Sequence, residues 1–405
     1  MSIVKAAVLT LLIGTALAAA FISVRYPFTR ETVPLLLSQL RKPDIAKPDP
    51  TIDTLPKFEA FIETQLADKP IQGASVAIVS DGKVSWQKGY GVANEDGVMV
   101  SADTPFMIGS ISKAVTGVTL MHAVEAGLID LDADINDYLS QPVRNPNHPD
   151  KPITLRHLAT HTSGLIDHDW TYTNSYKFGS DAMPLDQFVR AYYQPDGSLY
   201  RQGNFSKDAP SEAYEYSNVA TGLAGQVFHE ATGVRLDLYA REHIFAPLGM
   251  ANTGWFLSDF ADLSQIAQPY VRGNKPFSHY GYPTWPDGQL RTSANDLARF
   301  LAMVMNGGEL DGVRILAPET VEQLLTKQTF AGLSEQSGQG IFWEYTKGGL
   351  VGHNGGDLGV FAMMYFNPDT NLGAVMLTNA TPHAKNSISP VASIMRQITT
   401  VAVGR

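Results

Sequence analysis

The sequence has no cysteine among its 405 residues. That excludes disulfides, a cysteine nucleophile and thiolate metal sites. It also excludes a lipid-modified cysteine as a membrane anchor. A basic surface is missing too: 30 Lys and Arg stand against 40 Asp and Glu, a net charge of −10. Phosphate contacts need positive charge, so nucleic acid is not an expected partner. The chain contains no Gly-x-Ser-x-Gly elbow, phosphate loop or dinucleotide fingerprint. That argues against an α/β-hydrolase and against a nucleotide cofactor. His157 and His161 stand four apart, but Leu158 occupies the place where a zincin needs glutamate, and no third ligand is evident. No metal and no cofactor are expected. What is present is an ordinary globular composition, 44% apolar and 17% charged, enough for a substantial core.

Residues 6–24 are 19 uncharged, mostly apolar residues between Lys5 and Arg25. Such a run is long enough to span a bilayer. Ala18-Ala19-Ala20 offers a small-residue cleavage site, as in a signal peptide. Phe21-Ile22-Ser23-Val24 carries the apolar run past that site, as in an uncleaved anchor. Residues 1–25 therefore read as a signal peptide or N-terminal membrane anchor. The remainder is expected to be exported, to the periplasm or the outer face of the cytoplasmic membrane in a bacterial source. Residues 26–55 include Lys42-Pro43-Asp44-Ile45-Ala46-Lys47-Pro48-Asp49-Pro50 and are expected to form an extended linker. Residues 56–405 are the expected domain.

Phe58, Phe61, Ile62 and Leu66 have helical spacing. Two strand-like runs follow, at 74–79 and 84–90, with Ser80-Asp81-Gly82-Lys83 between them as a tight hairpin. From about 114 to 260 the pattern is mainly helical. Residues 221–232, 236–245 and 295–305 read as helices, and the loop-rich 167–206 reads as a wall or lid over a cleft. Residues 340–345, 360–366 and 373–377 read as strands, and 388–403 as a final helix. Early and late strands with helices between them predict an α+β sandwich. Its antiparallel sheet is built from both ends of the chain and flanked by helices. The α/β lobe spans about 56–113 and 290–405, and a mainly helical lobe spans 114–289. The cleft between lobes is the natural site.

Ser110-Ile111-Ser112-Lys113 opens a predicted helix. Residues three apart lie on one helical face, about 5–6 Å apart at Cβ. A serine hydroxyl becomes a useful nucleophile when a neighbouring base takes its proton. Lysine can be that base if burial lowers its pKa. Tyr216-Ser217-Asn218 lies 106 residues further on. A tyrosine hydroxyl beside an ammonium is favoured as phenolate and can share the proton shuttle. The Asn218 amide can orient a substrate carbonyl or amide. His353-Asn354-Gly355-Gly356 lies between two strand-like runs. Its glycines let backbone approach a ligand and present N–H groups to an oxyanion, together with the N–H of Ser110. His353 can donate a hydrogen bond into the site. Asp167-His168-Asp169 reads as a solvated polar loop.

The ordered set Ser-x-x-Lys, Tyr-x-Asn and His-x-Gly resembles the serine β-lactamase and penicillin-binding protein superfamily. The Tyr-x-Asn form is similar to its class C β-lactamase branch, which includes DD-peptidases and esterases. Three further stretches strengthen the resemblance: Ile153-Thr154-Leu155-Arg156-His157-Leu158-Ala159-Thr160-His161-Thr162-Ser163-Gly164-Leu165, Pro247-Leu248-Gly249-Met250, and residues 288–298. The likeness covers about residues 56–400. It implies a β-lactamase/transpeptidase-like fold and an acyl-enzyme on Ser110, with Lys113 and Tyr216 as the proton-transfer pair. It implies substrate contacts from Asn218, His353 and Gly355, with His353 at the rim, and an oxyanion hole from the N–H groups of Ser110 and Gly356. The implied partners are small esters, amides or peptidoglycan-derived molecules. The β-lactamases of this branch carry Lys-Thr-Gly where this chain has His353-Asn354-Gly355, and histidine is mostly neutral at pH 7. An esterase or D-amino-acid peptidase therefore fits better than a β-lactamase. A non-catalytic penicillin or peptidoglycan-fragment sensor is the remaining alternative.

Overall fold

The computed structural model describes residues 43–180, 182, 184–271, 274–334, 336–383 and 387–403. The membrane or signal segment expected at 1–25 lies outside these residues. No helix among the described residues is long and apolar enough to cross a membrane.

Seven strands form one antiparallel sheet. They are β1 (Gly73–Ser80), β2 (Lys83–Gly91), β3 (Gly338–Gln339), β4 (Glu344–Tyr345), β5 (Val351–Asp357), β6 (Val360–Asn367) and β7 (Leu372–Thr378), in the order β3-β4-β5-β6-β7-β1-β2. The first and last parts of the chain thus meet at the β1–β7 pair, with Ala77 opposite Val375. Side chains alternate across a strand. Val76, Ile78 and Met376 enter one apolar layer with Phe58, Ile62, Ile394 and Ile398. Ala77, Val79, Val375 and Leu377 enter the main core on the other face. The Asp81-Gly82 turn closes the β1–β2 hairpin with φ of 51° and 72°, the left-handed pair that suits a right-twisted ribbon.

The described residues include ten α-helices: α1 (Leu55–Leu66), α2 (Ile111–Glu125), α3 (Leu155–Ala159), α4 (Asp169–Asn174), α5 (Leu185–Tyr193), α6 (Asn218–Thr232), α7 (Leu236–Ala240), α8 (Ala294–Met305), α9 (Pro318–Leu325) and α10 (Ser389–Thr400). Helices α1 and α10 cover one face of the sheet. Helix α2 is buried along nearly its whole length, and so is α6 from Val219 to Phe228. Helices that are apolar all round belong in an interior. Gly222 and Gly225 let α6 approach the 284–287 turn: added Cβ atoms would lie 2.8 Å from Thr284 Cγ2 and 2.7 Å from Pro286 Cγ. That approach sets the position of Asp287.

Two expectations change. Of the strand expected at 340–345 only Glu344–Tyr345 is a strand (β4), and 340–343 is a reversal between β3 and β4, closed by the Gly340 N–H donating to the Trp343 carbonyl (2.7 Å). Ile341, Phe342 and Trp343 are fully buried at this turn. A short apolar run marks burial here, and burial alone does not distinguish a strand from an inward-facing turn. The proline-rich stretch at 43–50 is extended, but it lies against α10. The amides of Asp44, Ala46 and Asp49 donate to Ser389 Oγ, Ser393 Oγ and Gln397 Oε1 (3.0, 3.0 and 2.8 Å). Those acceptors are spaced by four residues and form one stripe along the helix.

Candidate active site

Ser110 occupies the N-cap position of α2, immediately after Gly109 in a left-handed conformation (φ 54°). Its hydroxyl makes no capping bond. Ser112 instead ties the turn down, donating to the Gly109 carbonyl (2.7 Å) and accepting from the Leu290 amide (3.1 Å). The Ser110 hydroxyl is thereby left for other work.

One turn on, Lys113 is completely buried. Its Nζ lies 3.2 Å from Ser110 Oγ, 2.7 Å from Asn218 Oδ1 and 2.9 Å from the Asp287 carbonyl oxygen. The last two are acceptors only. A neutral amine has two N–H bonds and one lone pair, so donation to those two oxygens leaves the lone pair aimed at the Ser110 hydroxyl. Burial pushes the Lys113 pKa down, against an opposing pull from Asp287, Asp167, Glu344 and Asp357.

The helical side of the cleft is organised by Asp167. Its carboxylate accepts from Ser217 Oγ (2.8 Å), the Asn218 amide (2.9 Å), Asn218 Nδ2 (2.8 Å) and the Val219 amide (3.0 Å). It therefore satisfies the open N–H groups at the start of α6 and complements the helix dipole. The solvated loop expected at Asp167 is thus a hydrogen-bonded anchor. Asn218 is held at both ends, by Lys113 at its oxygen and Asp167 at its nitrogen, with one amide N–H left to face a ligand.

Tyr216 is half-buried, its ring centroid 4.8 Å from Lys113 Nζ. Burial holds its phenol well above the usual range, opposed by a contact with the Ser110 hydroxyl. The phenolate expected from sequence is therefore corrected to a protonated phenol: desolvation is the largest influence on the hydroxyl, and Lys113 Nζ sits over the ring face. His161 grips this segment. Its ring lies 4.4 Å from that of Tyr216, its carbonyl accepts from the Glu215 amide (2.7 Å) and its Nδ1 accepts from the Ser217 amide (3.2 Å). It does so from a left-handed backbone (φ 57°). His157 is used elsewhere, its Nδ1 accepting from the Thr154 amide and its Nε2 3.2 Å from Ser211 Oγ.

The other side of the cleft is β5. His353-Asn354-Gly355-Gly356 lies inside this strand and not in a turn between strands. Strand β4 pairs only with Val351 and Gly352, and the 108–110 segment runs along the edge that remains. A Cβ on Gly355 would lie 1.8 Å from the Ile108 carbonyl oxygen and 3.0 Å from the Ser110 nitrogen. A Cβ on Gly109 would lie 2.9 Å from the Gly356 nitrogen. The two amides expected to form the oxyanion hole therefore border one seam that only glycine permits. Strand alternation turns His353 inward. It is 1% exposed, not at the rim, with Nδ1 2.6 Å from the Asn354 carbonyl and Nε2 3.5 Å from Glu344 Oε1. Burial pushes its pKa down, so it is neutral.

The structure therefore brings Ser110, Lys113, Tyr216, Asn218, Gly355 and Gly356 around one cleft, with His353 behind it. Sequence reasoning missed Asp167, Asp287 and the clamp made by His161. The 153–165 stretch already pointed to His161, and Asp167 follows it by two residues.

These features can be set beside known proteins. The beta-lactamase family model matches residues 58–392. Protein flp of Staphylococcus aureus (strain MW2) is 26% identical over 340 residues, covering 81% of this chain. The chain spans only 64% of that relative's length. Penicillin-binding protein 4 of Amycolatopsis lactamdurans is 26% identical over 327 residues, covering 76% of this chain and 81% of the relative. Among solved structures, D-alanine carboxypeptidase AmpC from Burkholderia cenocepacia superposes with a TM-score of 0.65 at 23% identity, covering 84% of this chain and 98% of that one. The D-amino acid amidase from Ochrobactrum anthropi SV3, complexed with L-phenylalanine, gives a TM-score of 0.66 at 21% identity, covering 84% and 98%. The matched region takes in the whole of the Ser110 cleft, and the chain belongs to the beta-lactamase family of serine hydrolases.

Proposed function

We propose that the protein cleaves ester or amide bonds of small acyl compounds through an acyl-enzyme on Ser110. The observation that carries this reading is the environment of Lys113: a buried amine 3.2 Å from Ser110 Oγ and beside two oxygens that can only accept, so that in its neutral form the lone pair is left for the Ser110 hydroxyl. As Ser110 Oγ attacks the substrate carbonyl carbon, its proton passes to Lys113 Nζ. The carbonyl oxygen, now negative, is received by the Ser110 and Gly356 N–H groups. The protonated Tyr216 gives its proton to the leaving oxygen or nitrogen and is reprotonated from Lys113. Water then repeats the sequence on the acyl-enzyme. The free N–H of Asn218 is placed to orient the substrate.

Substrates of the D-amino-acid amide or peptide type, or simple esters, suit this site better than β-lactams. A buried, neutral His353 supplies no fixed cation for a β-lactam carboxylate. The names of the similar solved structures, a D-alanine carboxypeptidase and a D-amino acid amidase, support the same substrate range. The apolar run at 6–24 supports an exported location.

Multiple-turnover hydrolysis of p-nitrophenyl acetate or butyrate, abolished in Ser110→Ala, is the expected result. A burst of one equivalent followed by no turnover would replace the hydrolase with a penicillin or peptidoglycan-fragment sensor.

A further inference from the structure

Beside the oxyanion seam lie two carboxylates that form no ion pair among the described residues. Asp357 directly follows Gly356 on β5 and is half-buried. Its carboxylate accepts from the Tyr176 hydroxyl (3.2 and 3.1 Å) and the Leu358 amide (2.7 Å). Burial pushes its pKa up to about 6, which leaves it mainly ionised at pH 7. Asp287, 1% exposed, accepts from the Tyr172 hydroxyl at Oδ1 (3.0 Å), while its Oδ2 has no hydrogen-bond partner among the described residues. Among the described residues, no lysine, arginine or histidine forms an ion pair with either carboxylate. Lys113 is close enough to feel both, but it forms no ion pair with either, its Nζ lying against Ser110 Oγ, Asn218 Oδ1 and the Asp287 carbonyl oxygen.

Tyrosine rings complete the surroundings. Tyr176 lies nearly parallel to Tyr282 (4.8 Å, 24°) and Tyr280 (5.5 Å, 11°), and Tyr172 meets it edge-on at 5.7 Å. Tyr280 and Tyr282 are buried, whereas Tyr172 and Tyr176 are half-buried. Buried carboxylates are costly without a counter-ion, and aromatic faces attract cations. Both features suit a positive charge, and no ion pair among the described residues supplies it.

We propose that this pocket is the acyl-side specificity site and that it takes a protonated amine on the carbon next to the reacting carbonyl, with Asp357 as its counter-ion. The inference rests on the hydrolase reading above. The spacing suits it. Asp357 stands about 3.3 Å along the strand from Gly356 and shares the strand face of Gly355, against which the 108–110 segment lies. The substrate class is then amino-acid esters, amides or short peptides with a free α-amino group.

The test compares benzyl esters of D- and L-alanine with benzyl isobutyrate, in which a methyl replaces the ammonium, at pH 7.0. The expected kcat/KM favours the better alanine ester by about tenfold or more, as a charge-assisted hydrogen bond provides. In Asp357→Asn that ratio falls towards one, and Asp357→Glu restores part of it. Preference for isobutyrate in the wild type overturns the proposal. An equal loss on all esters in Asp357→Asn also overturns it, because the residue then serves the strand and not the ligand. Calorimetry on Ser110→Ala separates this question from catalysis and from the folding of Asp357 variants. Alanine amide is expected to bind about tenfold tighter than isobutyramide, and equal affinity contradicts the site even if the ester assays fail because Ser110 is not a nucleophile.

Discussion

On one side of Ser110, β5 offers backbone and almost no side chains. On the other, the start of α6 offers side chains whose polar ends are tied to further residues. The sheet side works by omission: Gly355 and Gly109 are places where any added atom meets backbone, at 1.8 Å from the Ile108 oxygen and 2.9 Å from the Gly356 nitrogen. The helical side works by connection. Asp167 holds Ser217, Asn218 and Val219, and Asn218 holds Lys113. A wall of backbone has two states, fitted or displaced. A wall of hydrogen bonds can lose one partner and keep the rest. The two sides should therefore fail differently.

The largest effect belongs where the two sides meet. Lys113→Ala removes the base and is expected to lower kcat by about 10²–10⁴-fold on p-nitrophenyl butyrate. A loss of only a few-fold would move the base elsewhere. Gly355→Ala comes next. Its methyl must push the 108–110 segment off the strand, so kcat should fall by about 10²–10³-fold, the scale of a lost oxyanion donor. Retention of more than a tenth of wild-type kcat would show that the seam yields and that the contrast is false.

Asp167→Ala tests the gradual side. It leaves the Ser217, Asn218 and Val219 donors unmet, and about 1–2 kcal/mol of stability should go with the lost cap in a denaturant titration. Activity should fall less than in Gly355→Ala, because Lys113 keeps its bonds to Asn218 Oδ1 and the Asp287 carbonyl. A larger loss of activity than in Gly355→Ala would reverse the contrast. The smallest effect is a shift in pH dependence. Burial pushes the Asp287 carboxyl up to about 7, and its negative charge raises the Lys113 pKa. Asp287→Asn removes that charge, so Lys113 loses its proton at lower pH. The ascending limb of kcat/KM should move towards acid. A shift towards alkali would mean that Lys113 acts as a cation.

The sequence showed most clearly what is local. Ser110 and Lys113 share one helical turn, and Asp81-Gly82 makes its hairpin within four residues. The strand pattern at both chain ends was enough for a single sheet, because β1 and β7 are apolar on both faces. Long-range partners were not visible. Asp167 reads as a solvated loop because its partners lie about fifty residues away, and the Asp287 carbonyl meets Lys113 across 174 positions. The phenolate expected at Tyr216 failed for a related reason. Sequence adjacency of a cation and a phenol says nothing about how much water the fold removes from both. His353-Asn354-Gly355-Gly356 was read as a place where backbone approaches a ligand; what the strand meets closely is the 108–110 segment, and its glycines hide the strand they belong to.

The central claim is that Lys113 is uncharged at working pH and takes the Ser110 proton. The rate at which a fluorophosphonate labels Ser110, followed against pH by intact mass, tests it most directly. The expected profile rises with pH and reaches its plateau well below the ordinary lysine range near 10.4, and Lys113→Ala flattens it. A limb that rises only near that range, or one unchanged in Lys113→Ala, would contradict the account.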